Sequence, residues 1–213
     1  MLYLRQLRLG PKKNFVYLLG SQGSSEVTVV DPAWEVSAIE AAAAEDGKTL
    51  AAIWLSHHHD DHTNGVSELL ERHDLPVYVQ AIEHDFSPAV RFGDAVRKVA
   101  PGETISWGGL EAICVHTPGH TPGSQCLWVG GGLVSGDTVF VDHCGRCDFH
   151  GGDPRQMFDS LHRVLGALPD PTVLYPGHDY GEVPVSSLAR ERAKNPYFLA
   201  NTMAAFLAKR GGA

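Results

Sequence analysis

The chain has 213 residues, 43% of them apolar, enough to bury a core without staples. Its 25 acidic residues against 17 basic ones leave a formal charge of −8, which argues against a nucleic-acid or membrane-surface partner, since both call for a concentrated basic face. No apolar run approaches the roughly 20 residues that span a bilayer, and four cysteines are too few for a disulfide scaffold of this size.

The opening "MLYLRQLRLG" lacks an apolar core of signal-peptide length, so a cytoplasmic location is expected. Three strands are predicted in "LYLRQL", "NFVYLLG" and "EVTVVDP", the last ending at Asp31-Pro32. A helix follows in "SAIEAAAAEDG", with Ser37 as its cap and Gly47 as its stop. The continuously apolar "TLAAIWL" reads as a buried strand, and "SHHHDDHTNG" begins where it ends. Helical spacing in "GVSELLERHDL" and a strand in "PVYVQ" complete a βαβ-like unit, after which residues 81–102 look polar and less regular. Short strands between glycine and proline turns return from Glu103 to Phe140. A helix capped by Asp153 with Pro154 at its first position, the strand "TVLYPG" and terminal helical stretches finish the chain. This order predicts a single α/β domain over residues 1–213, with strands inside and helices outside.

Four turns after strands carry the chemistry: "HHHDDH", "HTPGHTPGS" with His116 and His120, "VSGDTVF" with Asp137, and "LYPGHDYG" with His178. Strand ends that open on a common mouth are where an α/β protein gathers side chains distant in sequence. An extended backbone sends His57 and His59 to one side, and the turn after them lets Asp61 and His62 face a neighbouring point. Four ligands for two adjacent points suggest two metals, with the remaining positions falling to His120, Asp137 and His178. Imidazole suits zinc, iron or manganese, and a carboxylate can bridge two cations. His58 and Asp60 alternate with these ligands and should point away from the metals.

The pattern resembles the metallo-β-lactamase superfamily, whose H-x-H-x-D-H signature stands here as "HHHDDH", and within it the glyoxalase II branch. The resemblance implies a four-layer αβ/βα sandwich with metals at one edge. It implies a first metal on His57, His59 and His120, a second on Asp61, His62 and His178, and Asp137 bridging the two, with Asp61 also in the catalytic set. Class B β-lactamases are secreted and lack the bridging aspartate, flavodiiron proteins carry Glu in place of His59, and the nuclease branches need an inserted domain.

A hydroxide shared by two cations is a nucleophile at neutral pH. The expected activity is therefore hydrolysis of a small-molecule thioester of the S-acylglutathione kind, with two divalent cations as cofactor, zinc first and iron or manganese as alternatives. Arg146, Phe149 and Tyr180 are the candidate substrate-binding residues; the family's thiol-binding Lys and Tyr are replaced by Arg146 and Asp148. The runner-up rests on similarity to persulfide dioxygenases in "CGRCDFHGG", "YPGHDYG" and "ERAKNPYF". It carries a single Fe(II) on His57, His120 and Asp137. Cys144 and Cys147 read as two thiols lining a loop near the mouth, and Cys114 and Cys126 as small core hydrophobes. Arg91, Arg97 and Lys98 are considered as a cationic flank of the pocket.

Overall fold

A computed structural model describes residues 1–107 and 109–210. Its first sheet is laid down almost entirely in chain order. Strands β1 (Leu2–Leu9), β2 (Asn14–Ser21) and β3 (Glu26–Val30) form an antiparallel meander. Strands β4 (Thr49–Trp54), β5 (Val77–Gln80) and β6 (Val96–Val99) then add in parallel, in the order β1-β2-β3-β4-β5-β6. Parallel neighbours need crossovers, and helices α1 (Val36–Glu45) and α3 (Val66–Arg72) supply two of them.

The second sheet holds β7 (Thr104–Trp107), β8 (Leu110–His116), β9 (Gln125–Val129), β10 (Gly132–Val134), β13 (Val173–Tyr175) and β14 (Ser186–Ser187), in the order β14-β13-β10-β9-β8-β7. Between β10 and β13 lie the hairpin of β11 (Val139–Phe140) with β12 (His143–Cys144) and helix α5 (Pro154–Asp159). Helices α6 (Leu188–Lys194), α7 (Pro196–Leu199) and α8 (Met203–Lys209) close the chain. Among the described residues no helix is long and apolar enough to cross a membrane.

Strand β2 shows why four layers result. Its residues Phe15, Tyr17 and Leu19 point into the seam between the sheets against Cys114, Leu127 and Val129, while Val16 and Leu18 point the other way, toward Ile39 of α1 and Leu69 of α3. A third cluster packs Leu133 and Leu174 of the second sheet under Met157, Leu161, Leu188 and Phe206. The order is therefore helix, sheet, sheet, helix, the αβ/βα sandwich expected from the sequence.

Two expectations about local structure are corrected. Ser37 caps nothing: α1 opens at Val36, its first amides bond to the Glu35 carbonyl, and the Ser37 hydroxyl accepts from Arg72 instead. Residues 81–102 are more regular than expected, for they hold the short helix α4 (Ala81–Phe86), two single 3₁₀ turns and β6. Asp153, by contrast, caps α5 as read, accepting from the amides of Arg155 and Gln156.

Candidate metal centre

Five strands of the two sheets end at one edge, and their C-terminal turns build the site. β3 delivers Asp31, β4 delivers Ser56 to His62, β8 leads to His120, β10 to Asp137 and β13 to His178. The short helix α2 (Asp60–Thr63), with His59 immediately before it, folds Asp61 and His62 back beside His57. The sheets are stitched here by backbone bonds, from Phe15 to Gly177 at 2.8 Å and from Gln125 to Ser56 at 3.0 Å.

The donor atoms form two triads. In one, His59 Nδ1 lies 3.1 Å from His57 Nε2 and 2.9 Å from His120 Nε2. In the other, His62 Nε2 and His178 Nε2 are 3.1 Å apart, with Asp61 Oδ2 at 3.9 and 3.6 Å from them. Asp137 divides its carboxylate: Oδ1 faces His62 and His178 at 3.3 and 3.4 Å, and Oδ2 faces His120 at 3.4 Å. Ligands about 2.0–2.1 Å from a tetrahedral ion stand about 3.3 Å from each other, so these spacings match a cradle for cations. Asp137 Oδ1 is buried without a hydrogen-bond partner, which a bridging carboxylate between two cations would explain. All seven sequence-predicted ligands are thus brought together.

Four imidazoles are held by their far nitrogen. His120 Nδ1 donates to the Arg146 carbonyl (2.6 Å) and His178 Nδ1 to the Lys12 carbonyl (3.0 Å), which fixes both Nε2 lone pairs inward. His62 Nδ1 donates to Asp31 Oδ2 (2.9 Å); His57 Nδ1 donates to Ser56 Oγ (2.9 Å), whose own proton goes to Asp31 (2.5 Å). Asn14 and Lys12 hold Asp61, through Nδ2 to Oδ2 at 3.2 Å and Nζ to Oδ1 at 3.2 Å.

Electrostatics follows from this packing. Burial, with His62 and His120 nearby, holds His57 well below the ordinary imidazole range, and burial brings His59 down to about 4. For His62 burial is outweighed by the Asp137 and Asp31 carboxylates, so it is held well above that range. Burial likewise opposes the charge of Asp137, yet His62 and His178 keep it well below the usual carboxylate range. A proton on His62 therefore occupies the place between carboxylates that a cation would take.

A cavity of about 710 Å³ opens over the cradle, walled by Phe140, Phe149 and Tyr180 and by the cations Lys12, Arg146 and Arg210. Phe149 packs on the rings of His59 and His120, while Tyr180 stacks on His178 at 4.6 Å and its phenol is pushed up to about 12 by burial. Arg146 pairs with Asp148 at 2.6 and 2.9 Å and lies over Phe149. Asp60 stands at the exposed rim, and His58 turns away to Glu83.

Some expected participants are elsewhere. His116 donates to the Pro122 carbonyl and closes its turn rather than reaching the site. Lys98 pairs with Asp85, Arg97 bonds the Asp94 carbonyl, and Arg91 reaches backbone carbonyls, so none of the three lines the pocket. Cys144 lines the cavity beside Arg210, but burial pushes it and Cys147 up to about 12 and 11; among the described residues no potential metal group contains a cysteine. Asp31 and Glu83 were not singled out from the sequence. The strand-end position before Pro32 is the one signal that could have marked Asp31; Glu83, within a short helix, had none.

Comparison with known proteins gives a consistent result. The family model described as "Metallo-beta-lactamase superfamily" matches residues 9–178. The "Probable polyketide biosynthesis zinc-dependent hydrolase PksB" of Bacillus subtilis is 35% identical over 185 residues, covering 87% of this chain and 81% of that protein. A hydroxyacylglutathione hydrolase of Alkalilimnicola ehrlichii is 38% identical over 167 residues, covering 78% of this chain but 62% of its own length. Among solved structures, ETHE1 from Myxococcus xanthus superposes with a TM-score of 0.87 at 31% identity, covering 98% of this chain and 90% of that one.

Proposed function

The chain belongs to the metallo-β-lactamase superfamily, and from that premise we propose that it is a metal-dependent hydrolase that cleaves a thioester of a small thiol with two divalent cations, zinc foremost. The observation that supports this reading is the division of the Asp137 carboxylate, one oxygen toward each histidine-bearing triad. His57, His59 and His120 would hold one cation and Asp61, His62 and His178 the other. When bound, such a pair lowers the pKa of water to about 7 and polarises a carbonyl, so no serine or cysteine nucleophile is needed.

The remaining work falls to this chain's own side chains. Asp61 stays ionised because His62 and the Asn14 amide outweigh the burial of its carboxyl, and with Lys12 beside it, it is fixed toward the second triad. The Tyr180 phenol keeps its proton at the rim and can donate to substrate. Phe149 and Phe140 shield the reacting carbonyl from bulk water, and Lys12, Arg146 and Arg210 favour an anionic small molecule. Hydrolysis breaks the C–S bond and releases a carboxylate and a thiol.

Elemental analysis of purified protein should find about two equivalents of metal per chain. The same sample should hydrolyse members of a panel of S-acyl thiols, and His57→Ala, His120→Ala or Asp137→Ala should lower that rate by at least about a hundredfold. Retained turnover with wild-type metal content in any one of these variants would reject the site.

A second reading keeps a single iron on His57, His120 and Asp137 and oxidises a persulfide; the 3.4 Å approach of His120 to Asp137 is what favours it. About one iron per chain and oxygen uptake with glutathione persulfide would decide for it.

A further inference from the structure

Glu83 belongs to no ligand set, yet it is 1% exposed and carries four hydrogen bonds. Its Oε1 accepts from the His58 amide (2.9 Å), His58 Nδ1 (2.5 Å) and the Thr121 hydroxyl (2.8 Å). Its Oε2 accepts from the Gly123 amide (2.7 Å). His58 sits between two residues of the first triad, His57 and His59, and Thr121 directly follows the third, His120. One carboxylate therefore spans the two turns, one from each sheet, that deliver all three imidazoles. The contact is close: a Cβ on Gly123 would stand 2.3 Å from the Glu83 amide nitrogen. The second triad is held by other groups, Asp31, Asn14, Lys12 and the Lys12 carbonyl.

We propose that Glu83 is the positioning residue of the first metal site, locking the His57–His59 turn to the His120 turn so that three imidazoles converge on one point. The inference rests on the reading that those imidazoles hold a cation, and it deepens that reading by separating the two sites. Ordered partners of this kind typically change metal affinity roughly 10- to 100-fold.

The test compares wild type with Glu83→Gln, whose amide keeps the shape but turns a donor toward donors. Zn²⁺ affinity is read by competition against a chromophoric chelator. The affinity of one site should fall by roughly 10- to 100-fold and that of the other stay within about twofold. In the metal-free protein, amide hydrogen exchange at His58 and Gly123 should accelerate. Thr121→Val removes one of the four bonds and should weaken the same site by a smaller factor, which serves if Glu83→Gln does not fold. Equal weakening of both sites, or unchanged affinities with unchanged exchange, would overturn the proposal. A wild-type chain that takes up one cation would reject the two-metal reading instead; the exchange rates and that single affinity would then decide the role of Glu83, because His57 and His120 serve either scheme.

Discussion

At the scale of single residues, the site is a contest between burial and charge. His59 is depressed from an ordinary 6.5 to about 4 by burial, so the folded metal-free chain binds fewer protons there than the unfolded chain does. Its contribution to stability is therefore complete above pH 6.5 and is lost as pH falls from 6.5 toward 4. His57 and His120 are lowered as well and add in the same sense. Melting temperatures of chelated protein should fall across that window; a flat profile would contradict it. The convergence of His57, His59, Asp61 and His62 could be read from sequence because their spacing encodes it, as in the alternation of His57, His58 and His59. Asp31 offers only its strand-end position before Pro32, because its role comes from contacts with Ser56 and His62, 25 and 31 residues away. Its left-handed backbone, φ 50° in a non-glycine residue, is visible only in the folded chain.

At the scale of elements, the turns matter more than the strands they follow. Gly177, between β13 and His178, leaves no room for a side chain: a Cβ there would stand 2.6 Å from Asp137 Oδ1 and 2.8 Å from the Gly136 carbonyl. Gly177→Ala should displace Asp137 and lower metal content to below about half of wild type, with a stability loss of about 1–3 kcal/mol from overpacking. Metal analysis alongside a urea titration would check both. The strands were readable because their apolar runs are long and bounded by turn residues, β2 and β4 above all. α4 carries no sequence signal because six residues with three polar side chains show no helical period, and β6, "VRKV", lies at a sheet edge with two exposed charges. Ser37 misled because a serine before an alanine run resembles a cap, although the Glu35 carbonyl had already started the helix.

Across the whole molecule, the centre draws its candidate ligands from both sheets: His57, His59, Asp61 and His62 from the first, His120, Asp137 and His178 from the second. Bound cations would therefore hold the two halves of the sandwich together. A metal at about a thousand times its Kd adds about 4 kcal/mol, or roughly 8–16 °C in Tm for a chain of this size, and exhaustive chelation should reverse it in a calorimetric scan. The layered order, the convergence of strand ends and the places of Arg146, Phe149 and Tyr180 at the mouth could be foreseen from the sequence; those of Lys12 and Arg210 could not, since they reach the cavity only through the path of the chain. His120 is fixed by the Arg146 carbonyl, a group that every residue possesses, while the guanidinium stands at the cavity wall, paired with Asp148. The side chain at position 146 can therefore be exchanged without disturbing the imidazole behind it, so the wall of the cavity can vary independently of the cradle beneath it.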